Sequence, residues 1–111
     1  MQLPYSAIDR EAEKRLLPAA ADAGVAVLVL SPFESGALFR RVKGKALPAY
    51  AADIDCTSWA QVFLKFVLAH PGVTCVIPAT GKLRNLVDNL GAGIGALPDA
   101  KHRAQIVATF K

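Results

Sequence analysis

Six consecutive apolar residues, Val25-Ala-Val-Leu-Val-Leu30, stand between Gly24 and the breaker Ser31-Pro32. The run has the length of a strand and lacks the alternation of a half-solvated one. It therefore predicts a strand buried on both faces, the kind found in parallel sheets. Parallel neighbours cannot be joined by a tight hairpin. They need crossovers, usually helical, so this one segment demands an alternating α/β chain.

The flanking sequence supplies that alternation. Met1 to Tyr5 reads as the end of a strand. Asp9 is placed to cap a helix from about Arg10 to Ala23, with Ala12, Leu16, Leu17, Ala20 and Ala23 on one face. Pro18 predicts a late start or a kink in it, and Gly24 a left-handed stop. After the apolar run, Gly36, Gly44 and Pro48 predict a long loop to about Asp55, with one helical turn near Pro48 to Ala52. Thr57 or Ser58 caps a helix over Trp59 to Ala69, whose Ala60, Phe63, Leu64, Val67 and Leu68 form a core-facing stripe. Val73 to Ile77 is a third strand, with Cys75 buried in it. Lys82 to Leu90 is a helix, Gly91 to Gly95 a flexible exit, and a last amphipathic helix opens at Pro98 or Asp99 and runs to about Phe110. Right-handed crossovers follow from this order. Two architectures fit: a small open sheet, or a piece of a (β/α)8 barrel.

Composition narrows the class. A chain of 111 residues is one small domain, and its net charge of +4 is spread among interspersed acids. Aromatics are too sparse, and basic residues too scattered, for a single-strand nucleic-acid binder. Cys56 and Cys75 are 19 positions apart, which makes no zinc site. Free thiols suit a reducing compartment, here the cytoplasm. No segment approaches a membrane span, and the N-terminus has no secretory signal.

Two junctions can carry chemistry. Ser31-Pro-Phe-Glu-Ser-Gly36 follows a buried strand directly, where α/β proteins place ligands, and its hydroxyls and glycine can serve a phosphate or merely end the strand. Cys75 to Asn89 reads as strand, proline exit and helix start. Thr80, Lys82 and Arg84 lie where free backbone N–H groups and the helix dipole attract an anion. The alternative is a solvated helix start. Asp88 and Asn89, one turn on, suit a nucleobase or water. The basic loop Arg40 to Lys45 reads as solvated, His70 as a favourable contact at a helix end, and Trp59 as core. Gly91-Ala-Gly-Ile-Gly95 is no dinucleotide fingerprint, because it follows a helix rather than a strand. No nucleophile triad, metal-ligand spacing or carboxylate pair is evident.

Four stretches, in order, resemble the C-terminal third of the aldo-keto reductases. Gln2-Leu-Pro-Tyr-Ser6 resembles the family's sixth strand. Glu13 to Val29 resembles its sixth helix and seventh strand. Ser31 to Gly36 resembles its cofactor loop, and Val73 to Asn89 its eighth strand and phosphate helix. The resemblance implies a partial (β/α)8 TIM barrel over residues 1–111: about three parallel strands alternating with helices, plus a C-terminal helix. It also implies a nicotinamide cofactor, NADP with NAD as the alternative. Gln2 falls at the position that bonds the nicotinamide amide. Ser31, Phe33 and Ser35 match positions lining the pyrophosphate and ribose. Thr80, Lys82, Asp88 and Asn89 match the segment holding the adenosine and its 2′-phosphate. Leu30 replaces an aromatic that many members stack on the nicotinamide. Ala79 and Asn85 replace a Lys and an Arg found in some.

The family's catalytic Asp, Tyr, Lys and His belong to the first half of the barrel and have no match here. The expectation is therefore a cofactor-binding segment of an oxidoreductase for aldehydes or ketones, inactive alone. A second expectation is a non-catalytic module that pairs through open sheet edges, with itself or with an N-terminal barrel half. Nucleic acid and membrane are not expected partners.

Overall fold

The computed structural model describes residues 1–30, 32–33, 36–76 and 83–110, with the side chains of 83–86 left aside. Three short strands, β1 (Gln2–Pro4), β2 (Leu28–Leu30) and β3 (Cys75–Val76), form one parallel sheet in the order β1-β2-β3. Leu3 pairs with Val29, and Val29 with Val76. The helices are α1 (Leu16–Ala23), α2 (Ala37–Arg41), α3 (Tyr50–Asp53), α4 (Trp59–Leu68), α5 (Leu83–Leu90) and α6 (Ala100–Ala108), with 3-10 turns at Glu11–Glu13 and Gly91–Gly93.

Spatial order equal to chain order decides between the two architectures. When right-handed crossovers all advance in one direction, every helix falls on the same side of the sheet. Burial agrees. Leu3, Tyr5, Val27 and Val29 are buried, whereas Gln2, Pro4 and Cys75 are exposed and Leu28 and Leu30 half-buried. A sheet clothed on one face, with its strands in sequence, is an arc of a (β/α)8 barrel. The expectation that β2 is buried on both faces, and Cys75 with β3, is thereby corrected: among the described residues no layer lies against the second face.

Local signals account for the element ends. Pro18 sits in the first turn of α1, so the helix starts at Leu16 and the segment before it holds only a 3-10 turn. Gly24 (φ 70°) closes α1. Its N–H donates to the Ala21 carbonyl at 3.2 Å, and the Val25 N–H to the Ala20 carbonyl at 2.8 Å. This is a Schellman stop, which needs the left-handed conformation glycine adopts without strain. Ser58 caps α4 by accepting from the Gln61 N–H at 3.2 Å, and Asp99 caps α6 by accepting from the His102 N–H at 2.9 Å. Between β2 and β3 the Thr74 side chain extends the ladder: its Oγ1 accepts from the Val27 N–H at 3.0 Å. The long loop expected before Asp55 contains α2 as well as α3. Gly36, expected to break structure, stands at the N-terminus of α2.

Helix α4 is buried all round from Gln61 to Val67, not along one stripe. Lys65, within that span, is fully buried. Its ammonium donates to the carbonyls of Ile54 (2.5 Å), Ile94 (2.8 Å) and Ala96 (2.8 Å). Three donors meet three acceptors, which makes the buried charge tolerable. The two loops it joins are also tied by Asp55, whose Oδ2 accepts from the Ala96 N–H at 2.9 Å. Gly95 (φ 84°) lets that carboxylate approach, since a Cβ there would lie 2.6 Å from Asp55 Oδ2. Replacing the ammonium, as in Lys65→Met, leaves three carbonyls without their donor. We expect a stability loss of about 3 kcal/mol in urea denaturation, with unchanged dependence on urea concentration.

Candidate functional site

The open face of the sheet is built by strand alternation. Gln2, Leu28 and Cys75 are register partners and share one row, with Pro4 and Leu30 in the next. Among the described residues the Gln2 side-chain amide has no hydrogen-bond partner, so its donor and acceptor are both available. The strand residues described on this face offer an amide, a thiol and apolar surface, and no carboxylate, imidazole or amine. Such a face can hold a flat, amide-bearing ring.

Phe33 follows β2 and turns away from this face. It joins an aromatic cluster beneath the C-terminal end of the strand, with ring centroids 4.8 Å from Phe39 and 6.4 Å from Phe63. Its carbonyl accepts from the Gly36 N–H at 3.0 Å and the Leu38 N–H at 3.3 Å, anchoring the start of α2. Trp59 stacks on Phe63 at 5.7 Å and donates its indole N–H to the Lys45 carbonyl at 3.2 Å. The basic segment is partly committed too. Arg41 donates to the Phe110 carbonyl at 2.7 Å and lies 5.3 Å from its ring. Ser31, Ser35, Thr80 and Lys82 lie outside the described residues, as does the Arg84 side chain.

Asp88 is engaged within the chain. Its carboxylate accepts from Ser58 Oγ at 2.6 Å and from Gln61 Nε2 at 3.2 Å, and its carbonyl accepts from the same amide at 2.9 Å. The Gln61 Oε1 in turn takes the Thr57 N–H at 2.8 Å. The cap of α4 and the middle of α5 are thus one polar network. Asn89 is buried beside it and faces a cavity of about 230 Å3 between α4, α5 and β3. The structure therefore brings Asp88 and Asn89 onto the helix that follows β3, while Gln2 lies across the sheet on β1. Among the described residues no group of three His, Cys, Asp or Glu could hold a metal, and no helix is long and apolar enough to cross a membrane.

Sequence reasoning passed over a second network, on the clothed side. The Tyr5 hydroxyl donates to Glu13 Oε1, and Arg103 Nη2 donates to both Tyr5 Oη (2.5 Å) and Glu13 Oε1 (2.7 Å). Burial, then the bond to Glu13, pushes the Tyr5 hydroxyl above the usual phenol range. Arg103 stacks on Phe66 at 4.6 Å, and His70 packs edge-on against Tyr5 at 5.8 Å. These residues span 98 positions, so no local pattern announces them. His70 makes a contact at its helix end, as expected: its Nδ1 accepts from the Gly72 N–H at 3.0 Å, which requires an unprotonated nitrogen. Burial, reinforced by the charge of Arg103 and opposed by Glu13, lowers its pKa.

Two outcomes follow. Asp88→Ala removes the acceptor for Ser58 and Gln61, and we expect a loss of about 2 kcal/mol in chemical denaturation. The native His70 ring resists a proton that the unfolded chain takes up near pH 6.5. Its contribution is therefore full above about pH 6.5 and is lost as the pH falls below it. Thermal midpoints measured from pH 7.5 to 5 should decline, and His70→Gln should flatten the decline.

Comparison with known proteins matches this geometry. The chain resembles an aldo-keto reductase from Bacillus halodurans in its apo form, with TM-score 0.75 and 22% identity over 99% of this chain and 42% of that one. It also resembles an aldo-keto reductase from Klebsiella pneumoniae in complex with NADPH, with TM-score 0.74 and 24% identity over 98% of this chain and 38% of that one. A thermostable aldo-keto reductase in complex with the inhibitor epalrestat gives TM-score 0.71 at 24% identity, over 97% and 38%. The chain thus spans about two fifths of the length of these solved relatives. At such identities the likeness establishes the fold alone. The family model for the Aldo/keto reductase family matches residues 1–106, nearly the whole sequence, and with that match the chain belongs to the aldo-keto reductase family.

Proposed function

We propose that this chain is the C-terminal cofactor-binding segment of an NADP-dependent aldo-keto reductase for aldehydes or ketones, working in the cytoplasm and inactive by itself. The observation that carries the reading is the Gln2 amide on the open face, without a partner among the described residues, one strand from Leu28 and two from Cys75. A nicotinamide carries a carboxamide on a flat ring, and a side-chain amide pairs with it through one donor and one acceptor. The residues present therefore fit the group at this end. When bound, the cofactor supplies hydride. The chain's own part is to orient the ring and exclude water from one side of it.

Asp88 and Asn89 act at the adenosine end, and the carboxylate of Asp88 does so through its hold on Ser58 and Gln61. Lys82 and Arg84, with Thr80, read the 2′-phosphate, while Ser31, Ser35 and the backbone at Phe33 line the pyrophosphate. Inactivity rests on chemistry. The family's catalytic Asp, Tyr, Lys and His have no counterpart in this sequence, and the described strand residues of the open face include no carboxylate, imidazole or amine.

A second reading is favoured by a separate observation. Large apolar residues are exposed along the helical connections: Leu16 and Val25 in and after α1, and Val87, Leu90, Ile94 and Leu97 in and after α5. Val87, Leu90 and Ile94 are each more than 60% exposed. Strand edges unpaired among the described residues, with exposed apolar side chains, favour association with a second copy or with an N-terminal barrel half.

Titration of the pure chain with NADPH and NADH, followed by cofactor fluorescence, tests the first reading. Saturable binding that favours NADPH, lost in Gln2→Ala, is expected. Steady NADPH consumption with a reactive aldehyde would overturn the inactivity. Light scattering tests the second reading, for which assembly larger than a monomer is expected.

A further inference from the structure

On the clothed side of the sheet, a cavity of about 760 Å3 opens between α4, α6 and the turn at Glu11–Glu13. Its size falls within the roughly 300–1,000 Å3 of small-molecule sites. None of its lining residues belongs to the open face. Three nitrogen groups border it: the guanidiniums of Arg10 and Arg103 and the imidazole of His70.

Each presents donors that the fold does not consume. Arg10 is exposed and has no partner among the described residues. Arg103 spends one nitrogen, Nη2, on both Tyr5 and Glu13. His70 takes the Gly72 N–H on Nδ1, so in the neutral ring the proton sits on Nε2.

Acids border the cavity too, and both have partners within the chain. The charge of Glu13 is offset by Arg103 at 2.7 Å. Asp99 caps α6 and lies 3.1 Å from His102 Nδ1. Arg10 carries its charge without an ion pair among the described residues, and Asp99 keeps its own unless His102 is protonated. The remaining lining is apolar, with Phe66, Ala69, Ala104 and Val107. The flat face of the Phe66 ring already carries the Arg103 guanidinium.

We propose that this cavity is a binding site for a small organic carboxylate with an apolar, preferably aromatic, body. The carboxylate pairs with Arg10 and Arg103, whose planar forks match it. His70 Nε2 donates a third bond, and the body rests against Ala69, Ala104 and Val107. This assignment stands on the cavity alone and is independent of any cofactor on the open face.

The probe is benzoate, titrated into the full chain with nuclear magnetic resonance shifts at His70, Ala69 and Ala104 as the readout. Saturable shifts confined to these residues are expected, as is an affinity about tenfold lower in Arg10→Gln, which loses one charge-assisted pair. Arg10 is exposed and has no partner among the described residues, so this variant keeps the fold, which its amide spectrum verifies. Saturating NADPH should leave the benzoate affinity unchanged. Scattered unsaturable shifts, or an Arg10→Gln chain that binds benzoate as well as the parent, would overturn the site. Equal binding by inorganic phosphate or benzyl alcohol would overturn the ligand class. Competition by NADPH would move benzoate to the open face and overturn the proposal as well.

Discussion

The ammonium of Lys65 is the contact on which the rest of this small fold depends. A fully buried cation has to find acceptors, and it finds three backbone carbonyls, at Ile54, Ile94 and Ala96. Those carbonyls belong to the loop leaving α3 and the loop that leads from α5 to α6. One side chain of α4 therefore decides where the flanking helices begin. Asp55 and Gly95 reinforce the same junction from the other side. The nearby Cys56 thiol, pushed up to about 11 by burial and opposed by the charge of Lys65, stays neutral within this wall.

With α4 held in place, the two polar networks on its flanks share out its ends. At its start, Ser58 and Gln61 grip Asp88 and so orient α5, the helix that follows the last strand. At its end, Phe66 and His70 meet Tyr5, Arg103 and Glu13, which dock α6 and the turn after β1. The strands need little more than their backbone ladders, and each is only two or three residues long. The helical layer carries most of the packing. Among the described residues no layer covers the opposite face.

Much of this was legible from local signals. Gly24 as a left-handed stop, Ser58 and Asp99 as caps, and the order of three strands and their crossover helices all follow from residue type and spacing. These features depend on interactions within a few positions along the chain. The family resemblance followed for the same reason, because its motifs are short runs at strand ends. Lys65 was illegible. A lysine among Phe63, Leu64, Phe66 and Val67 reads as a solvated break in a stripe, unless the acceptors contributed by residues 54, 94 and 96 are known. The same holds for Tyr5 with Arg103.

The sequence alone determined the class of the chain: parallel α/β, with helices between the strands and a family motif at each strand end. Tertiary structure decided which side of each strand meets helices and which stays open. It also decided that Gln2, Leu28 and Cys75 share one row, and that Asp88 serves the fold before any ligand. The reason is physical. Strand and helix propensities are set over a few residues, whereas burial and hydrogen-bond pairing depend on groups that meet only after the crossovers have closed.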